Sequence, residues 1–142
     1  MRLTSFTDFG LRVLMRLAGE PGRAFTTAEI AGEFAISRNH LVKVVSELAA
    51  AGYIETRRGA AGGFRLARPA RDITLGEVVR DLERDQPLVE CFRSDGGACV
   101  LTPRCRLKRR LAEAHEAFLA QLGRTTLADC AWPAAPKRPA AA

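Results

Sequence analysis

Apolar positions recur at three- and four-residue intervals through Phe6, Phe9, Gly10, Val13, Leu14 and Leu17, which predicts an amphipathic helix over residues 7–18. Gly19, Pro21 and Gly22 stop it. Thr26 and Glu29 have capping-box spacing and open a short helix over 27–34 with Ile30, Ala31 and Phe34 inward. A tight turn at Ala35 and Ile36 leads to Ser37, a natural N-cap for a helix over 38–51 whose apolar face is Leu41, Val44, Val45 and Leu48. Gly52 ends that helix. Residues 53–57 and 63–66 then read as two short strands, joined by RRGAAGG, whose glycines accept the positive φ values of a tight hairpin. After Pro69, Thr74 and Glu77 form another capping box, with Leu75, Val78, Val79 and Leu82 on one helical face and Pro87 as the stop.

Residues 91–105 break the rhythm, with three cysteines and the pair Gly96 and Gly97. Thr102 and Pro103 read as N-cap and first position of a further helix. Along it Leu107, Leu111, Ala114, Phe118 and Leu122 form one seam ending at Gly123. Thr126 and Asp129 start a last short turn, and PAAPKRPAAA has the composition of a disordered tail. The fold expected is mainly α with a small β-hairpin wing: a winged helix-turn-helix domain over 1–86, a cysteine-bearing loop over 87–106, a dimerisation helix with the final short helix over 107–132, and the tail over 133–142. A seam longer than a small domain can cover favours a homodimer.

Charge sharpens this picture. The 142 residues carry 22 Lys and Arg against 16 Asp and Glu, a net charge of +6, which points to an anionic partner. In a winged helix-turn-helix the second helix of the pair enters the major groove, and its first turn here shows Ser37, Arg38, Asn39 and His40, with Lys43 one turn on. Arg suits guanine and Asn suits adenine, while Ser37 and the free amides of the helix start suit a phosphate. The hairpin adds Arg57, Arg58 and Arg65, with Arg68 just beyond, placed for phosphates or a narrow minor groove. The competing reading of these charges is a solvated face on a winged helix that contacts other proteins. No apolar run is long enough to span a bilayer and the opening MRLTSFTDFG lacks a secretory pattern, so a cytoplasmic protein without membrane contact is expected.

Cys91, Cys99 and Cys105 are separated by seven and then five residues. Structural zinc favours closer pairs, whereas wide spacing on a loop suits an iron–sulfur cluster. A buried trio or a thiol switch is the alternative. The basic run Arg104, Arg106, Lys108, Arg109 and Arg110 would offset the charge of a cluster. Three thiolates leave one iron of a [4Fe–4S] cluster open, and Asp8, His115 and Cys130 are candidates for it. His115 lies ten residues past Cys105, roughly 15 Å along one helix, so it serves only from a partner chain. Cys130 reads as a small buried hydrophobe. Asp8 has an ordinary explanation as a carboxylate at a helix start. No Ser/His/Asp or paired-carboxylate arrangement appears, so an enzyme is not expected.

Through LTSFTDFGLRVL, TTAEIAGEFAISRNHLVKVVSELAAAGYI, RRGAAGGFRLARP and VECFRSDGGACVLTPRCRLK, the chain resembles the NsrR branch of the NsrR/IscR family of iron–sulfur transcription regulators, from Met1 to about Pro133. The resemblance implies a dimeric repressor that holds a cluster, responds to nitric oxide and then releases an inverted-repeat operator, expected to be A/T-rich. It implies Cys91, Cys99 and Cys105 as ligands, with Asp8 from the opposite subunit completing the shell. The IscR branch places a histidine three residues after the last cysteine, where this chain has Lys108. The long first gap leaves both [4Fe–4S] and [2Fe–2S] open. Against this stands a redox or metal-binding protein whose winged helix contacts proteins.

Overall fold

A computed structural model describes residues 1–132; the expected tail over 133–142 lies outside the described residues. Five α-helices and one hairpin follow in order: α1 (Ser5–Gly19), α2 (Thr27–Phe34), α3 (Arg38–Ala50), β1 (Ile54–Arg57), β2 (Gly63–Leu66), α4 (Leu75–Leu82) and α5 (Arg106–Leu122), with short 3-10 turns at Ala70–Asp72, Glu90–Phe92, Thr102–Arg104 and Leu127–Cys130. The mainly α winged-helix architecture expected from the sequence is the one observed.

Local chemistry sets the ends of these elements. Thr4 caps α1 by accepting from the Thr7 amide, and its own amide and hydroxyl donate to Glu83 at the end of α4, both at 2.8 Å. Thr26 and Glu29 form the full reciprocal box at α2. At α4 only half of the predicted box forms. Thr74 accepts from the Glu77 amide, but the Glu77 carboxylate takes the Thr74 hydroxyl and the Arg68 guanidinium instead of the Thr74 amide. The Thr74 segment is occupied elsewhere, bridging to Thr126, with the Leu75 amide donating to Thr125 O. Between α2 and α3, Ala35 adopts φ 52°, the left-handed conformation that reverses the chain in so short a space.

Val13, Leu14 and Leu17 of α1, Ile30 of α2, Leu41, Val44 and Leu48 of α3, Phe64 of β2 and Val78 of α4 form one core, closed by Tyr53, Ile73 and Leu127. The wing is tied into it. β1 and β2 pair antiparallel with Ile54 opposite Leu66 and Arg57 opposite Gly63, and Phe25, before α2, exchanges two backbone hydrogen bonds with Phe64 at 2.8 and 2.9 Å. A Cβ on Gly63, at φ 147°, would sit 2.5 Å from Phe25 O, so this third rung requires glycine.

The start of α5 differs from expectation. Thr102 and Pro103 open a 3-10 turn, the buried Thr102 hydroxyl makes no hydrogen bond, and Cys105 in an extended conformation (φ −76°, ψ 109°) precedes the true start at Arg106. Proline's fixed φ fits either kind of turn, so the sequence does not separate them. The helix packs on α4, where Leu119 is its buried residue. Leu119 lies beside the predicted seam; Leu107 and Ala114 of that seam are exposed, and Leu111, Phe118 and Leu122 are partly covered. The sequence groups the last turn with α5, but its contacts are with α1 and the turn at Ala70–Asp72: the Leu127 amide donates to Ile73 O at 2.7 Å and the Trp132 amide to Met15 O at 2.9 Å.

Candidate nucleic-acid interface and cysteine loop

The four apolar residues predicted to bury α3 all do so, which turns the opposite face of the helix outward. Ser37, Arg38, Asn39, His40 and Lys43 are all exposed. The Ser37 hydroxyl accepts from the His40 amide at 3.2 Å, so it fixes the helix start while its own proton remains for another acceptor. His40 lies 6.4 Å, ring to ring, from Phe9 of α1, which holds the imidazole against the adjoining helix. Val42 also stands outward, 54% exposed. The hydrophobic pattern alone passes over it, although an apolar residue outside the Leu41, Val44, Val45 and Leu48 face is the signal that marks it.

In the wing the arginines divide. Arg57 and Arg58 are exposed at the tip. Arg65 crosses the hairpin to its register partner Glu55 at 2.5 Å, so part of its charge is already matched. Arg68 is bound to Asp72 O and Glu77 and lies 5.4 Å from the Tyr53 ring centroid, a structural role at the wing's base. Beneath the wing, Arg16 is almost fully buried. It donates to Glu33 at 2.8 Å and Glu20 at 2.9 Å and stacks 4.6 Å from the Phe25 ring centroid. Burial works against its charge, but the hydrogen bonds and the negative charges of Glu33 and Glu20 together outweigh it and raise its pKa, keeping it a cation. Nothing in the hydrophobic pattern predicts this buried arginine, whose partners are the Glu20 and Glu33 carboxylates and the Phe25 ring.

Cys91, Cys99 and Cys105 are free, half-buried thiols on the segment joining α4 to α5. Their loop is closed by Glu90, whose carboxylate accepts from the Ala98 amide at 2.9 Å, and by Asp95, which accepts from the Gly97 amide at 3.0 Å. Cys105 borders a shallow apolar hollow with Val100, Leu101, Pro103 and Arg104. Among the described residues no three His, Cys, Asp or Glu side chains converge as a metal site within one chain. Asp8, in the first turn of α1, accepts two hydrogen bonds from Arg12 at 2.7 and 3.2 Å and is about half exposed. His115 lines a hollow with Leu3, Thr4, Val79, Glu83 and Leu88. Cys130 is half-buried in the last turn, less enclosed than the sequence leads one to expect.

A family model described as Rrf2, iron-dependent transcriptional regulator, matches residues 3–132. The HTH-type transcriptional regulator NsrR of Bacillus subtilis (strain 168) is 48% identical over 130 residues, covering 91% of this chain and 89% of that protein. Its counterpart in Geobacillus kaustophilus (strain HTA426) is 50% identical over 130 residues, covering 91% and 88%. Among solved structures, CymR, the global cysteine regulator of B. subtilis, superposes with a TM-score of 0.72 at 29% identity over 92% of this chain and 96% of its own. T. potens IscR gives 0.71 at 25% identity over 91% and 85%. The wing, the outward basic face of α3 and a match running almost from end to end agree: the chain belongs to the Rrf2 family of transcriptional regulators, as a DNA-binding protein of the NsrR type and not an enzyme.

Proposed function

We propose that this regulator is a cytoplasmic homodimeric repressor that senses nitric oxide through an iron–sulfur cluster and releases an inverted-repeat operator when the cluster reacts. The observation that carries the reading is the set of three free, half-buried thiols on the one loop between the winged helix and α5, in a chain about half identical to two NsrR regulators. The donor set fits the group. Three soft sulfur ligands and the cationic start of α5 suit a cluster that carries negative charge, and the Asp8 side chain on α1 is about half exposed.

Cys91, Cys99 and Cys105 would hold the cluster, with the partner subunit's Asp8 as the fourth ligand. When bound, it supplies an iron, held by a carboxylate instead of a thiolate, that accepts nitric oxide. What the chain itself contributes is a connection. The ligand loop leads directly into α5, α5 packs on α4, and α1 packs on both α3 and α4. A tie between the loop of one subunit and α1 of the other therefore bears on the spacing of the two α3 helices, which must sit whole helical turns apart on DNA.

Purification under argon, iron and sulfide assays, an absorbance spectrum and gel shifts with and without nitric oxide test the proposal. Cys99→Ala should abolish both cluster and operator binding, while Asp8→Ala should keep much of the cluster and loosen binding. Tight operator binding by the cluster-free protein, unchanged by nitric oxide, would overturn it.

A further inference from the structure

We propose that Val42 is a specificity-determining residue that reads the 5-methyl group of thymine in the major groove. The inference deepens the DNA-binding reading of α3 and rests on it.

Single exposed apolar residues are ordinary on protein surfaces, so exposure alone decides nothing. Position does. At 3.6 residues per turn, Val42 lies roughly 40° around the helix from Arg38 and roughly 60° from Asn39, between them and one turn further along. The buried residues Leu41, Val44, Val45 and Leu48 centre roughly 110° away from it, Val45 being nearest at roughly 60°. Val42 thus lies within the outward strip, towards one edge and between the cation of Arg38 and the amide of Asn39, with Lys43 and Ser46 also exposed. Its side chain is 54% exposed and is not part of the hydrophobic core. When the helix enters a major groove, the exposed residues of its N-terminal turns approach the base edges, and Val42 stands among them.

The chemistry of valine there is selective. It has no donor or acceptor, so it cannot pair with the polar edge of guanine, cytosine or adenine. The one apolar feature in the groove is the thymine methyl. Beta-branching leaves valine few rotamers to lose when it makes that contact. A branched residue at an exposed helix position also lowers helix propensity relative to alanine, so packing and propensity give no reason for it here.

The test uses full-length protein purified under argon and a duplex selected by it from random DNA. Thymines are replaced one at a time by uracil, which removes only the methyl, at equivalent places in both half-sites. Affinities are measured by fluorescence anisotropy for the wild type and for Val42→Ala, which keeps the helix. The proposal expects one thymine whose replacement weakens the wild type by about fourfold per half-site, the effect of one buried methyl-sized group. The same replacement should leave Val42→Ala unaffected. An equal loss in both proteins, or no sensitive thymine, overturns the role of Val42. Failure to enrich any duplex is a separate result and overturns the DNA-reading role of α3, and this proposal with it.

Discussion

Tyr53, the one tyrosine of the chain, is fully buried where α3 gives way to the wing, and its hydroxyl donates to Asp81 of α4 at 2.6 Å. Burial, and then the neighbouring Asp81 carboxylate, hold the phenol well above its ordinary pKa. A raised folded-state value means that the contribution to stability is complete below the unfolded value of about 10 and declines as pH rises beyond it. Tyr53→Phe should cost about 1–2 kcal/mol in urea unfolding at neutral pH, and it should remove part of the loss of stability that the wild type shows above about pH 10. The wing arginines give a second contrast. Arg58 is exposed at the tip with no ion-pair partner among the described residues, whereas Arg65 is matched by Glu55. Arg58→Ala should therefore lower the log–log salt slope of DNA binding by about 0.9 for each phosphate that is no longer neutralised, with a smaller change for Arg65→Ala. Equal slopes from filter binding at several salt concentrations would refute the distinction. Such pairings were not legible in the sequence: both arginines sit in the same basic run, and only the register opposite Glu55 separates them.

At the scale of elements, two helical glycines look alike in sequence and differ in what surrounds them. A Cβ on Gly10 of α1 would meet the end of the Leu82 side chain at 2.6 Å, a group that can rotate away. On Gly76 of α4 it would meet backbone, Leu119 O at 2.6 Å and Gly123 N at 2.7 Å, which cannot. Gly10→Ala should be near neutral, because the gain in helix propensity of about 1 kcal/mol offsets the crowding. Gly76→Ala should destabilise by about 2–3 kcal/mol through forced separation of α4 from α5. Thermal unfolding of the two variants checks the order. Periodicity had most of α3 in view, since one face faces one core and every apolar residue on it is buried. It located β2 for the same reason, its ends being set by glycines and a turn. It failed at the start of α5, where capping-type residues serve a different turn, and at the Phe25–Phe64 rung, which joins residues far apart in sequence through backbone atoms that carry no sequence signal. The shared loop of the three cysteines was legible. The bonds from Glu90 and Asp95 that shape their loop were not.

For the molecule as a whole, the unfinished surface is α5. Its seam is only partly covered by the described residues, among which Val100, Leu101 and Leu107 near its start are strongly exposed. Pairing along this seam would bring two α3 helices to one operator, so replacing Leu111 and Phe118 together by Asp should yield monomers with poor operator affinity. Light scattering that still shows a dimer would place the interface elsewhere. The last turn, by contrast, is bonded back onto the molecule's first helix. Through it Trp132, the single tryptophan of the chain, stands over α1 beside Arg12, Met15 and Phe34, more than half exposed. Arg12 is the residue that holds Asp8. The chain therefore carries its own fluorophore one side chain away from that carboxylate, and lifting the last turn off α1 should shift the indole emission to the red with no label added.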